Sequence, residues 1–323
     1  MMKILSNSEL TIGVKSFGAE LASIRANGTE YLWQADPAYW KRHSPVLFPF
    51  VGSVWEGAYR HQGVSYQMGQ HGFARDMEFE LLHESAAEVR FRLASNEETR
   101  KKYPFDFELE IGYRLRGRKI DVMWKVRNTG HETLLFQIGA HPAFYYPGFK
   151  AEEAMKGYFG FDRKEDLEYI LVAEKGCADP DTRYPLTLNE EGLLPIDVHT
   201  FDRDALILEN SQLKEVVLYT PDRRPWLSMQ FEAPVVGLWS PPSKNAPFVC
   251  IEPWYGRCDR AHFSGELKDK EWMQHLAAGM GFRGNLLMPA GNGPLIPFPV
   301  ASHSRYDKPS ACSFLRRWSG WCR

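Results

Sequence analysis

Apolar and polar residues alternate along this chain with a period of two. The clearest run places Phe105, Phe107, Leu109, Ile111, Tyr113 and Leu115 on one side of an extended backbone, with Asp106, Glu108, Glu110, Arg114 and Arg116 among the positions between them. Successive side chains of a strand point to opposite faces, so the run predicts a strand with one buried and one charged face. After Gly117-Arg118 the alternation resumes through Ile120, Val122, Trp124 and Val126. A two-residue Gly-X connection suits a type II′ turn, and residues 105–127 are therefore predicted to form one long antiparallel hairpin. Asn128-Thr129-Gly130 predicts another turn, and Leu134, Phe136 and Ile138 alternate again, extending the hairpin into a three-strand meander.

Shorter strand-like runs span Glu88 to Leu93, Val216 to Tyr219, Leu227 to Phe231 and Phe248 to Glu252. Helical periodicity is confined to Asn96 to Lys102 and Lys268 to Leu276, both too short to cover a sheet. A large sheet without covering helices must bury its apolar face against another sheet. The expected fold is all-β, a large antiparallel β-sandwich formed as one domain by residues 1–284. From about Asn285 the alternation is lost among Pro289, Pro294, Pro297, Pro299 and Pro309. Proline is excluded from central strands, so residues 285–323 are expected to form a Pro-rich, poorly ordered tail.

Composition narrows the function by exclusion. Of 323 residues, 44% are apolar and 25% charged, an ordinary soluble balance. The net charge of −2 invites neither nucleic acid nor an anionic membrane, and it suits a neutral, polar small molecule. Met1 to Gly13 lacks an apolar stretch of signal-peptide length, and no run approaches the roughly 18 apolar residues of a membrane span. The expected location is the cytoplasm, with no membrane contact. Cys177, Cys250, Cys258, Cys312 and Cys322 are odd in number and form no CxxC pair, which predicts reduced, packed thiols. No Cys/His set shows paired ligand spacing, so no metal is expected.

Three segments bring ionisable residues to strand ends beside Gly or Pro: Gln70-His71-Gly72-Phe73-Ala74-Arg75-Asp76, Gly139-Ala140-His141-Pro142-Ala143-Phe144 and Cys250-Ile251-Glu252-Pro253-Trp254-Tyr255-Gly256. Alternation sets Gln137 and His141 opposite Leu134, Phe136 and Ile138, and the following proline holds His141 extended. Glu252 shares a face with Phe248 and Cys250, where an unpaired buried carboxylate would be costly. A hydrogen-bonded core histidine and an arginine-paired glutamate are the plain alternatives. Gly72 permits close backbone approach, and Arg75 suits a clamp on a carboxylate or a sugar hydroxyl, or equally a local contact with Asp76. Trp40, Phe48, Phe50, Trp55 and Tyr59 supply aromatic surface for sugar rings or for the core.

Taken together and in this order, the segments resemble the aldose 1-epimerase (galactose mutarotase) family, and more closely its LacX-like branch. The matching residues are Ser44-Pro45-Val46-Leu47-Phe48-Pro49-Phe50-Val51-Gly52, His71-Gly72-Phe73-Ala74-Arg75-Asp76, Gly139-Ala140-His141-Pro142-Ala143-Phe144 and Ile251-Glu252-Pro253-Trp254-Tyr255-Gly256-Arg257. The resemblance covers roughly residues 1–284 and implies a large twisted β-sandwich. It implies Glu252 as catalytic base, His141 as catalytic acid and His71 as a histidine that hydrogen-bonds the sugar near its ring oxygen. Asp204 is the best match for an aspartate holding sugar hydroxyls, and Arg75 and Trp254 join the implied substrate contacts.

The chemistry suits these residue types. Anomers interconvert when the C1 hydroxyl loses a proton and the ring oxygen gains one, and a carboxylate and an imidazolium on opposite sides of that bond perform both transfers. A carboxylate beside His141 is expected to favour its charged form. The resemblance implies no metal or organic cofactor, a small-molecule sugar as the partner, and a monomer or homodimer. Two departures stand out. Where family members carry an arginine shortly before the first histidine motif, this chain reads Gly52-Ser53-Val54, which leaves Arg75 as the sugar-side cation. Family members also close with a strand after a segment like Ala278-Gly279, and here the alternation fades after Phe282-Arg283-Gly284. Its loss would cost one sheet an edge partner. The rivals are a hexose-6-phosphate mutarotase, for which Arg75, Lys41, Arg42 and Arg60 would need to converge, and a non-catalytic sugar-binding or sensor protein of the same fold.

Overall fold

The computed structural model describes residues 1–289 and 306–307. The long hairpin forms as the alternation predicts: Phe107–Arg116 pairs with Lys119–Asn128, in register from Phe107 opposite Asn128 to Arg116 opposite Lys119. Phe107, Leu109, Ile111, Tyr113 and Leu115 are buried, and so are Ile120, Val122, Trp124 and Val126. On the outer face Lys125 and Glu110 pair across the strands at 2.8 Å. Glu88–Ala94 adds along the free side of the first hairpin strand.

The predicted meander does not continue. Beyond Asn128 the chain leaves this sheet: Leu134–Phe136 pairs with Gln274–Leu276, and Ile138–Ala140 joins the opposite sheet between Phe248–Tyr255 and Val46–Leu47. All six residues of these two short strands are buried, so they have no solvated face to present. Asn128 secures the crossing, donating from Nδ2 to the carbonyls of Glu132 at 2.6 Å and Leu276 at 2.8 Å.

Among the described residues two large antiparallel sheets result, one of 10 strands and one of 8. They pack face to face over a continuous core. Phe91, Leu109, Ile111, Val122 and Leu286 come from the first sheet, and Leu206, Leu208, Val236, Leu238, Val249 and Ile251 from the second. The protein is an all-β sandwich, as the alternation predicts. A smaller sheet of Met2–Ser6, Thr11–Lys15, Leu21–Ala26 and Thr29–Glu30 adds Leu5, Ile12, Val14 and Ile24 to the same core.

The place at residue 284 where the alternation was expected to fade is corrected. Gly281–Pro289 is a full strand lying between Lys119–Asn128 and Pro225–Phe231. Phe282, Leu286 and Met288 are buried, and Gly284 takes the inward position against the Trp124 ring, so the alternation continues with a glycine in it. Pro289 is the last residue of the strand. The expectation of a poorly ordered tail concerns mainly positions outside the described residues. The second helical prediction also differs. Asn96 caps a short helix over Glu97–Lys102, but 268–276 forms a 3₁₀ turn, Leu267–Asp269, and the strand Gln274–Leu276. Buried Lys270 is held there by Asp259 at 2.5 Å, and Trp272 takes a left-handed φ of 60°, which no helix accommodates. Cys177, Cys250 and Cys258 are buried free thiols. Among the described residues no helix is long and apolar enough to cross a membrane.

Candidate active site

The strand Phe248–Tyr255 is buried along its whole length and serves two layers. Val249, Ile251 and Tyr255 enter the core between the sheets. Phe248 and Cys250 pack into a separate apolar cluster with Trp33, and Trp254 into another with Leu47, Ile207 and Val235. Glu252 falls between these two clusters on the far face of the 8-strand sheet. Across the sheet, Gly237 stands opposite Glu252 and Trp239 opposite Cys250, while Gly139 stands opposite Trp254. A Cβ at Gly237 or Gly139 would come within 2.4 or 2.5 Å of the Trp254 ring. These two glycines make a bed for an indole immediately beside Glu252.

His141 lies in the break between Ile138–Ala140 and Ala143–Tyr145, both of which pair with the Glu252 strand. Its Nε2 is 3.3 Å from Glu252 Oε2, and both residues are buried. The imidazole stacks on Trp40 with centroids 4.7 Å apart and meets Trp239 edge-on at 5.4 Å and His71 edge-on at 5.5 Å. Three rings therefore restrict its orientation. Apart from the Nε2 to Oε2 contact, Glu252 Oε2 and His141 Nδ1 have no hydrogen-bond partner among the described residues. Buried polar atoms are normally paired, so atoms left open in this way invite a hydroxyl-bearing ligand.

His71 reaches this place through backbone geometry. It takes a left-handed φ of 66°, followed by Gly72 at 69°. The Phe48 carbonyl accepts from the N–H groups of Phe73 and Ala74, and a Cβ on Gly72 would sit 2.3 Å from that oxygen, so only glycine fits. The Gly52 N–H donates to His71 Nδ1 at 3.0 Å, while the His71 N–H donates to the Gly52 carbonyl. Neutral His71 thus keeps its proton on Nε2 and is a hydrogen-bond donor there. Gln137 joins the same segment to the sheet, accepting from the Val51 N–H at 3.0 Å.

Burial governs the charges. It pushes Glu252 well above the usual carboxylate range, with the negative charge of Asp204 adding to the effect. It pushes His141 down to about 3, helped by the positive charge of Arg75. His71 is likewise held well below its ordinary value by burial and then by its neighbour His141. Both shifts favour the uncharged forms of the pair. The sequence-based expectation that the carboxylate would favour a charged His141 is corrected: burial, the largest cause, disfavours the imidazolium.

The remaining candidates fall around the pair at different depths. Asp204, half-buried with a left-handed φ of 71°, is close enough for its charge to act on Glu252, and its Oδ1 accepts the Ala205 N–H at 2.7 Å. Arg75 donates from Nη2 to the Gln70 carbonyl at 2.7 Å and lies 3.7 Å from the Asp76 carboxylate. Its Nε has no hydrogen-bond partner among the described residues. Arg42 also binds Asp76, at 2.9 Å, and its charge also disfavours protonation of His71 and His141. Beside His71, Ser53 and Gln70 line a cavity of about 470 Å³ with Met68, Glu56 and Lys175. Sequence reasoning did not single out Trp239. Its position depends on strand pairing with Cys250, which the local pattern does not encode.

Residues 2–280 match the family model described as aldose 1-epimerase. The chromosomal protein LacX of Lactococcus lactis subsp. lactis is 34% identical over 276 residues, covering 82% of this chain and 91% of that protein. The solved structure of a galactose mutarotase related enzyme from Lactobacillus acidophilus superimposes with a TM-score of 0.83 at 32% identity, covering 92% of this chain and 100% of that one. A galactose mutarotase-like protein from Lactobacillus casei gives 0.85 at 30% identity, with 90% and 100% covered.

Proposed function

The chain belongs to the aldose 1-epimerase family of carbohydrate isomerases, and we propose that it interconverts the α and β anomers of a free aldohexose. The observation that supports this most is the buried contact of 3.3 Å between His141 Nε2 and Glu252 Oε2, with no hydrogen bond to Oε2 or to His141 Nδ1 among the described residues.

Ring opening needs a base at the C1 hydroxyl and an acid at the ring oxygen. In this reading, the bound sugar supplies hydroxyls that solvate the pair in place of water. In the form that reacts, the proton is on His141, and the pair is a carboxylate and an imidazolium. Glu252 removes the C1 hydroxyl proton as His141 protonates the ring oxygen, and the bond between C1 and the ring oxygen opens to the free aldehyde. Rotation about C1–C2 presents the other carbonyl face. On closure Glu252 returns a proton to the carbonyl oxygen and His141 removes one from the attacking hydroxyl, so the pair ends as it began. His71, a neutral donor at Nε2, hydrogen-bonds the sugar near the ring oxygen. Asp204 accepts from hydroxyls, Trp40 and Trp254 offer apolar ring faces, and Arg75 is the sugar-side cation.

Arg42 and Arg75 together favour a second reading, a hexose-6-phosphate substrate. Both guanidiniums lie close enough to act on the two histidines while sharing the Asp76 carboxylate, and Glu20 also acts on Arg75. An anionic substituent would find two cations there.

Optical rotation of freshly dissolved α-D-glucose and α-D-galactose, with glucose 6-phosphate followed by NMR, separates the readings. Faster mutarotation of a free sugar is expected, with Glu252→Gln and His141→Asn each losing roughly 10²–10⁴-fold while still folding and binding. Acceleration of the phosphate ester alone would transfer the assignment to the second reading. Sugar binding without any acceleration would identify a sensor. Near-wild-type rates in either variant would overturn the acid–base roles.

A further inference from the structure

The structure gathers three metal-ligating side chains that no sequence spacing announces. His141, Cys250 and Glu252 each offer one ligand atom, all within 4.8 Å of one another, and all three residues are buried. Cys250 and Glu252 are two positions apart on the same face of Phe248–Tyr255, and His141 reaches them from the neighbouring strands. We propose that these three side chains form a binding site for one thiophilic divalent cation, with Zn²⁺ as its representative. Occupation of this site would withdraw the Glu252–His141 pair from proton transfer. The inhibitory consequence rests on the acid–base reading above; the binding does not.

Three observations support the site. Zinc bound at about 2.0–2.3 Å to nitrogen, oxygen and sulfur places neighbouring tetrahedral ligands roughly 3.3–3.6 Å apart. The His141 Nε2 to Glu252 Oε2 distance is already 3.3 Å. Glu252 Oε2 is buried and makes no hydrogen bond among the described residues, so a cation placed between it and His141 Nε2 would replace only their 3.3 Å contact. Charge also balances. Metal binding requires deprotonated ligands, which here are a carboxylate, a thiolate and a neutral imidazole around a charge of +2. The loaded site stays neutral and avoids the cost of an uncompensated buried charge. Three protein ligands leave a fourth position for water or a sugar hydroxyl, and the thiolate favours Zn²⁺, Cd²⁺ and Co²⁺ over Mg²⁺ or Ca²⁺.

The test is a Co²⁺ titration of the reduced, metal-free full-length protein, read by absorption and followed by Zn²⁺ displacement. A thiolate-to-cobalt charge-transfer band should grow to one equivalent with tetrahedral visible bands, and Zn²⁺ should abolish both. Cys250→Ser should remove the charge-transfer band, and Glu252→Gln should weaken Co²⁺ binding at least about tenfold. The second variant serves if the first does not fold. No band in the wild type overturns the proposal, as does a band that survives in Cys250→Ser, which would assign the ion to another thiol. These readouts do not involve sugar, so failure here leaves the mutarotase reading standing, and an inactive protein that binds Co²⁺ would sink only that reading.

Discussion

Trp254 shows how a single side chain depends on what its neighbours lack. Its indole occupies space that Gly237 and Gly139 leave open on the two adjoining strands, and it lies beside Glu252. Gly237→Ala would put a Cβ 2.4 Å from the ring. Overpacking of this kind costs about 1–3 kcal/mol, so the midpoint of urea unfolding should fall accordingly. An unchanged midpoint would mean that the indole has another place to go. The same residues explain how a carboxylate is tolerated here. Burial shifts Glu252 towards its uncharged form, which lowers the cost of burying it.

At the scale of elements, the strand Gly281–Pro289 matters more than its sequence pattern suggests. It pairs with Lys119–Asn128 over nine positions and joins the hairpin to Pro225–Phe231. Leu286 is 1% exposed and faces the core between the sheets. Leu286→Ala should therefore cost about 2–5 kcal/mol in equilibrium unfolding, as a central core position does. A loss below 1 kcal/mol would mark the strand as an edge after all. The crossing after Asn128 is a second instance. A polar side chain there bonds two carbonyls and carries the chain from one sheet to the other, bringing His141 to the Glu252 strand.

For the whole molecule, the buried pair ties stability to pH. Glu252 keeps its proton in the folded state above its ordinary value of 4.5, where the unfolded chain has lost it. Its contribution is complete below 4.5 and declines as pH rises, until it is lost above the raised folded value. His141 and His71 act oppositely: below their ordinary 6.5 the unfolded chain binds protons that the folded protein refuses. Stability therefore drops as pH falls from 6.5 towards the folded value of about 3 for His141. The Glu252 decline begins at 4.5 and is at most about 1.4 kcal/mol per pH unit for one proton. Glu252→Gln should remove it, so the stability difference between variant and wild type should grow in the variant's favour as pH is raised from 4.5. Parallel curves in denaturant titrations at several pH values would show that Glu252 ionises normally.

The sequence by itself determined the sandwich, the long hairpin and the short segments that hold His71, His141 and Glu252. Alternation, tight turns and X-Pro steps are local, and the chemistry that produces them acts within a few residues. Other features were decided only by the tertiary structure. Gly284 hid the alternation of a central strand because the Trp124 ring occupies the space its side chain would have filled. The meander broke at Asn128 because Leu134–Phe136 and Ile138–Ala140 have no polar face to leave in water. Trp239, Cys250 and Arg42 reach the site through pairings between distant segments, and no local pattern records such pairings. The ionisation of the Glu252–His141 pair follows the same rule. Residue types named an acid and a base, but burial, a property of the assembled protein, raises the carboxyl and lowers the imidazole.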